Sequence, residues 1–306
     1  MLLAIDSDPS VGVVIVCFNP DLNEVENLLI KISNKNVFPV LVDNFSSNTD
    51  RVMLEKLAKK YSAKIIFLPE NYGIAKAQNL GIIECKKENF DFILFFDQDS
   101  DPDKSLILKL IEAYKKLSQD VKVKIGILGS RYNDPRQNNP PPFLRFVGLR
   151  MIRCNCKYED SLVPVDYVIA SGSMVSMPAL NEIGDMREDL FIDYVDIEWG
   201  LRAKNKGFQN YGVCNALMNH SLGDKPRKFL NKNIPIHSPL RHYYHFRNAI
   251  LLYKVDWIPL NWKLVDCYRL ILKFVFYSIF TEKPLEHFKM MIRGIIHGIF
   301  GRSGKF

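Results

Sequence analysis

Apolar and polar positions change period repeatedly along the first 128 residues. The run VGVVIVCF at 11–18 is continuously apolar and rich in valine, the pattern of a strand buried on both faces. Asn19, Pro20 and Asp21 stop it. Leu22, Val25, Leu28, Leu29 and Ile32 then recur at helical spacing. The same reading predicts strands at 38–42, 64–68, 90–96 and 124–128, and helices at 51–61, 74–87 and 104–117. Polar, turn-forming stretches at 43–48 and 69–73 and the triplet Asp97-Gln98-Asp99 separate them. This alternation predicts an α/β fold, a mostly parallel, doubly wound sheet flanked by helices. Ligands bind such sheets outside the carboxyl ends of the strands, where Asn19, Asp43, Asn71, Asp97 and Asp99 fall.

Beyond residue 128 the pattern loosens. Residues 133–143 are proline-rich and predict an irregular surface loop, either an acceptor gate or a connector. Mixed structure resumes over 163–220, and from 239 onward the pattern is helical, aromatic and basic. There is no internal repeat.

Composition narrows the class. In 306 residues, 47% apolar and 25% charged content is that of a globular protein, which excludes disordered and collagen-like chains. A chain of this length buries roughly three quarters of its surface and needs no staples to fold. The net charge of +7 is uneven: residues 225–306 hold fifteen Lys and Arg against four acids, and all six histidines lie at or beyond His220. That asymmetry predicts an acidic-to-neutral body over 1–224 and a basic helical extension over 225–306. Such extensions meet nucleic acid or anionic membrane. Six scattered cysteines, with no paired metal-binding spacing, read as reduced core thiols of a cytosolic protein. The first ten residues lack a basic n-region and carry Asp6 and Asp8, unlike a signal peptide. The apolar stretch 270–280 is broken by Lys273 and falls short of the ~20 residues a membrane span needs.

Several chemistries are excluded by the residues. A dinucleotide site needs glycines at the first turn, where this chain has Cys17, Phe18, Asn19 and Pro20. Gly301 to Lys305 resembles a phosphate loop only faintly, since no Ser or Thr and no helix follow it. No nucleophile elbow is present. Asp97-Gln98-Asp99 is more informative. Two carboxylates directly after a buried strand are costly to place without a cation, and Mg²⁺ or Mn²⁺ bridging them to a diphosphate removes that cost. A solvated turn capping the next helix is the alternative. In the second acidic group, Asp193 to Arg202, helical spacing puts Trp199 and Gly200 on the face of Asp196, and Glu198 pairs with Arg202. Asp196, near the start of that helix, is placed either as a general base or as a helix cap.

Taken together, VIVCFNP at 14–20, Val42-Asp43-Asn44, Asn71-Tyr72-Gly73 with Asn79, Asp97-Gln98-Asp99, Ala170 to Ser173 and Val195 to Arg202 resemble glycosyltransferase family 2, of the GT-A fold. Three further segments are similar to bacterial rhamnosyltransferases that build O-antigen and related polysaccharides: Asn219 to Gly223, Arg241 to Asn248, and Arg293 to Arg302. The resemblance implies residue roles. Asp43 reads a ring N–H of the donor pyrimidine, with Phe18, Asn19, Asn71, Gly73, Asn79, Asp97 and Gln98 completing the donor site. Asp97 and Asp99 hold the metal, joined by His220, whose alternative is a core or loop histidine. Gly172 and Trp199 face the acceptor, and Asp196 is the catalytic base of an inverting displacement. Val195 departs from the pattern, because many relatives carry an acid there.

The implied donor is dTDP-L-rhamnose, with a UDP-sugar as the alternative, and the implied acceptor is a saccharide on a polyprenyl diphosphate. A non-catalytic nucleotide-sugar-binding scaffold is the alternative of a different class. The basic, aromatic extension reads as an interfacial helix over 264–280, with Trp257 and Trp262 at headgroup depth. That predicts peripheral attachment to the cytoplasmic face of a bacterial plasma membrane, and no nucleic-acid partner. Packing on the catalytic body or in an oligomer is the other reading of the same helices.

Overall fold

The computed structural model describes residues 9–133, 143–219, 227–229, 232–234 and 237–306. The first half alternates as expected: β1 (Val11–Cys17), α1 (Leu22–Ile32), β2 (Val37–Asp43), α2 (Asn48–Lys60), β3 (Lys64–Phe67), α3 (Ile74–Lys87) and β4 (Phe92–Asp97). Then come β5 (Asp101–Pro102), α4 (Leu106–Leu117), β6 (Ile125–Asn133), the hairpin β7 (Phe143–Val147) and β8 (Arg150–Cys154), and β9 (Leu162–Val165). The body closes with β10 (Ser173–Ser176), α5 (Met177–Ile183), α6 (Val195–Asn205) and β11 (Gln209–Asn219). A short ribbon, β12 (Arg227–Phe229) and β13 (Lys232–Ile234), precedes α7 (Pro239–Tyr253), α8 (Leu260–Phe280) and α9 (Pro284–Ile299).

The main sheet runs β3-β2-β1-β4-β10-β6-β11-β5, with β9 also paired to β11. Its first four strands are parallel, in a register that sets Cys17 beside Asp43 and Val16 beside Asp97. β10 is antiparallel to both β4 and β6, and β11 is parallel to β6. The three strand ends that carry acidic and polar residues therefore open on one edge of the sheet.

The apolar run of β1 has a direct cause. Val13 and Ile15 pack with Leu28, Leu29, Leu54 and Leu110 on one face, while Val14 and Val16 pack with Ala75, Trp199 and Phe246 on the other. A strand covered by helices on both faces has no solvent side for polar residues, and each such side chain contributes roughly 1.5–3 kcal/mol by burial. Apolar residues of α7 and α8, including Leu252, Trp262 and Leu270, belong to the same core as the sheet. Helix starts follow local chemistry. Asp21 caps α1 by accepting the N–H of Asn23, Ser47 caps α2, and Ser238 with Pro239 opens α7.

Two expectations are corrected. Cys156 and Cys214 form a disulfide, with Cα atoms 5.8 Å apart, where scattered reduced thiols were expected. The segment after β8 folds back along β11, and Cys214 N–H donates to Ser161 C=O at 3.1 Å, so residues 58 positions apart meet. Cys17 and Cys85 are buried thiols. Trp262 is not at a surface: its indole is buried against Phe146, Tyr194 and Tyr253. Lys273 is likewise turned inward, its Nζ 2.8 Å from His245 Nε2, so it does not face solvent from α8. Among the described residues no helix is long and apolar enough to cross a membrane.

Candidate active site

A cavity of about 510 Å³ opens at the carboxyl edge of the parallel strands. Phe18, Asn71, Gly73, Asp97, Gln98, Asp99 and Asp196, all expected from the sequence, line it. Asn44, Gln78, Ser171, Asp193 and Arg241 line it as well.

The acidic turn after β4 is anchored from both sides. Gln98 Oε1 accepts the N–H of Phe18 at 2.7 Å, tying the turn to the end of β1. Ser171 Oγ accepts the N–H of Asp97 at 3.3 Å and lies 2.6 Å from Ser100 Oγ. Asp97 and Asp99 thus sit on a fixed backbone with carboxylates at the cavity. Hard oxygen donors in a pair suit Mg²⁺ or Mn²⁺, which are typically held by one or two carboxylates together with substrate phosphates. Among the described residues no group of three or more His, Cys, Asp or Glu side chains converges. His220 lies outside the described residues, as do Pro140 to Pro142.

Opposite this turn, residues 69–73 and 191–194 form one wall. Asn71 Oδ1 accepts from Gly73 N–H and from Asn44 Nδ2, while Asn44 Oδ1 accepts from Tyr72 N–H. Ile74 N–H donates to Phe191 C=O at 2.8 Å. Gly73 is required at this crossing: its φ is +85°, and a Cβ there would lie 2.4 Å from Phe191 O.

Asp196 stands in the first turn of α6, half-buried, and accepts the N–H of Ile197 at 2.9 Å. Its carboxyl is pushed up to about 6: burial raises it most, the Ile197 N–H opposes that, and the nearby charges of Asp193 and Asp97 add to the rise. A carboxylate tuned toward neutral pH is a better proton acceptor for a hydroxyl than an ordinary one. Asp193 is raised by burial too, and it faces Arg241 across 3.4 Å. Glu198 is buried in a two-pronged pair with Arg202, at 3.0 Å for each contact, as the spacing predicted.

Five expected residues are not brought to the cavity wall. Asp43 is fully buried, with Arg51 Nε at 2.8 Å and Ser46 N–H at 3.2 Å, and it fixes the 43–48 turn. Asn19 holds that same turn by accepting Ser47 N–H at 3.0 Å. Asn79 braces residues 186–188 from behind, exchanging hydrogen bonds with the backbone of Met186 at 2.8 and 2.9 Å. Gly172 sits behind the cavity lining with φ +73°, its N–H on Phe95 C=O. Trp199 is a core residue, packed edge-on against Phe95, with its indole N–H on Gly184 C=O at 2.9 Å. Asp196 lines the cavity, whereas Trp199, three residues on, turns into the core.

Gln78 was missed, and its signal is structural only. It is 3% exposed, lines the cavity, and its Oε1 is buried without a partner. A buried orphan acceptor costs roughly 1–3 kcal/mol, a cost removed when a ligand donor reaches it.

Comparison with known proteins shows the family and the fold. Residues 12–174 match the profile of glycosyl transferase family 2. The chain is 34% identical over 291 residues to the dTDP-rhamnosyl transferase RfbF of Shigella flexneri, covering 95% of this chain and 96% of that one. It is 26% identical to the low-salt glycan biosynthesis hexosyltransferase Agl10 of Haloferax volcanii, covering 96% and 92%. Among solved structures, the Pyrobaculum calidifontis mannosyltransferase PcManGT in complex with GDP-Man and Mn²⁺ superposes with a TM-score of 0.58 at 11% identity, covering 97% of this chain and 89% of that one. Staphylococcus aureus TarS 1–349 with UDP-GlcNAc gives 0.57 at 16%, covering 95% and 81%. The fold is that of the GT-A glycosyltransferases, and the chain belongs to glycosyl transferase family 2.

Proposed function

We propose that this glycosyltransferase moves L-rhamnose from dTDP-L-rhamnose to a saccharide carried on a polyprenyl diphosphate, with inversion, during assembly of an O-antigen or similar surface polysaccharide. The observation that carries the mechanism is the meeting, in one cavity, of the Asp97–Asp99 pair with a separate carboxylate, Asp196, tuned to about 6. The identity to the Shigella relative over nearly the whole chain supports the donor.

Asp97 and Asp99 would hold Mg²⁺ or Mn²⁺ against the donor diphosphate. The ion, when bound, offsets charge that develops on the departing nucleotide. Asn44, Asn71 and Gln78 supply side-chain amides from the 44–78 side of the cavity. Asp196 accepts the proton of the acceptor hydroxyl as its oxygen attacks the anomeric carbon from the face opposite the diphosphate. Arg241 offsets the charge of Asp193 beside it, so that Asp193 does not drive Asp196 still higher. One base suffices for a single displacement with no covalent enzyme intermediate. Rhamnosyl transfer measured with the unsubstituted protein and with Asp196→Asn tests this; turnover retained by the variant overturns it.

The acceptor lipid is consistent with a membrane-facing surface on the extension. Leu260, Leu264, Tyr268, Ile271, Leu272, Val275 and Ile279 are each more than half exposed and recur at three- and four-residue steps along α8, a charge-free stripe. Leu285, Phe288, Ile296 and Ile299 form a similar stripe on α9, with Lys289 and Arg293 exposed along its edge. An apolar stripe edged by cations matches an anionic bilayer, and attachment on the cytoplasmic face follows from where nucleotide sugars are available.

A further inference from the structure

We infer that the segment from Gly294 to Phe306 is a strap that holds the catalytic wall in shape, with Arg247 and Asn248 as the positioning residues it acts through. This rests on the role proposed for Asp196.

The wall needs holding. Phe191, Asp193 and Tyr194 have φ of 65°, 63° and 65°, all left-handed and none glycine. Such residues persist only where their surroundings determine them. The surroundings are two consecutive buried residues of α7. Asn248 Nδ2 donates to Leu190 C=O at 2.8 Å, Ile192 C=O at 2.7 Å and Asp193 C=O at 3.0 Å. Arg247 Nη2 donates to Leu190 C=O at 2.9 Å. Tyr244, on the same helix, stacks on Phe191 with ring centroids 4.9 Å apart.

The strap reaches the same residues from outside. α9 lies directly on α7 because Gly294 and Gly298 have no side chain: a Cβ would be 2.4 Å from Tyr243 O at the first and 2.8 Å from Arg247 O at the second. Past the helix, Gly301 and Gly304 take φ of +72° and +79°, conformations that turn the chain back over α7. Gly304 N–H then donates to Asp189 C=O at 2.7 Å, and Gly304 C=O accepts from Arg247 Nη1. Phe306 N–H donates to Tyr244 Oη at 2.8 Å, and its ring meets Tyr243 and the Arg293 guanidinium. Lys305 reaches Glu70, beside Asn71 on the other wall loop, at 3.5 Å. The strap thus reaches both loops that frame the cavity, through Asp189, Arg247 and Tyr244 on one side and Glu70 on the other.

Two substitutions in the strap test this without opening the core. Gly304→Pro removes the N–H that meets Asp189 and forbids the positive φ, and Phe306→Ala removes a half-exposed ring. The readouts are amide hydrogen exchange over 189–196 and the division of any activity loss between kcat and donor KM. Exchange is expected to quicken by about tenfold in that segment and not in the sheet. The kcat is expected to fall by roughly ten- to a hundredfold, with donor KM changed less than about twofold, because a small displacement of a catalytic group acts on the reacting geometry. Phe306→Tyr should restore both. Unchanged exchange and kcat in Gly304→Pro overturn the strap. So does a loss of Tm that accounts for the whole loss of activity and is not reversed by Phe306→Tyr. If the unsubstituted protein transfers no sugar, yet Gly304→Pro still quickens exchange over 189–196, the strap is upheld and the catalytic reading is overturned instead.

Discussion

Gln98 accepts the backbone N–H of Phe18 at 2.7 Å, and this bond, with a longer one from Gln98 Nε2 to Phe18 C=O at 3.4 Å, ties the acidic turn after β4 to the end of β1. The residue between the two carboxylates is therefore a spacer with a task, since it fixes the backbone from which Asp97 and Asp99 project. Gln98→Leu keeps the volume and deletes both bonds. Groups that orient metal-binding residues typically change metal affinity by 10- to 100-fold, so the Mn²⁺ concentration giving half-maximal transfer should rise by about tenfold. A titration of activity against Mn²⁺ checks it.

Asp196→Asn removes the proton acceptor while preserving shape. Transfer should fall by about 10²- to 10⁴-fold, with the donor dissociation constant nearly unchanged. Calorimetry of donor binding beside a transfer assay separates the two effects.

The raised carboxyl of Asp196 also fixes a pH dependence. The base is active when deprotonated, so kcat should rise through about pH 6 and level off above pH 7. Stability runs the other way. The folded protein holds this proton more tightly than the unfolded chain, so its contribution is fully present below about pH 4 and lost as pH rises through about 6. Asp196→Asn should therefore melt higher than the unsubstituted protein at pH 8, by up to about 3 kcal/mol of stability, and show no such gain at pH 4. Melting curves at the two pH values decide it.

The orphan Oε1 of Gln78 predicts a specific contact. Gln78→Met is close in volume and has no strong acceptor, so it should raise donor KM by about tenfold, the loss of one hydrogen bond, while kcat stays within about twofold. Steady-state kinetics on the purified variant give the answer directly.

On α8, replacing Leu264, Ile271 and Val275 with Ser cuts the apolar stripe at three exposed places outside the cavity lining. The variant should no longer sediment with vesicles of anionic phospholipid, whereas donor binding should be intact. The unsubstituted protein should bind such vesicles less tightly as salt rises.

Much of the fold could be read in the chain because its signals are local. The doubly buried β1 and the helical spacing of α1 and α3 are written in consecutive residues, and the strand-end position of Asp97 and Asp99 follows from them. What could not be read depends on distant partners. Asp43 ends a strand at the right edge, yet Arg51 and the Ser46 N–H enclose it, and nothing within the strand announces that. Asp196 lines the cavity, but Trp199, three residues on, packs on Phe95. Trp262 reads as an interfacial residue by composition, and the structure buries it against Phe146, Tyr194 and Tyr253. The glycines of the closing segment were visible as a motif, although their reason, the close crossing of α9 over α7, exists only in three dimensions.

The most direct test of the central claim is thermal stability of the protein with dTDP-L-rhamnose, UDP-sugars and GDP-mannose, each with and without Mn²⁺. At a hundred times its dissociation constant a donor adds about 2.7 kcal/mol, a shift that melting curves resolve. The account predicts stabilisation by dTDP-L-rhamnose with Mn²⁺, lost in Asp97→Asn and Asp99→Asn. Stabilisation that survives both substitutions, or none from any nucleotide sugar with or without Mn²⁺, would contradict it.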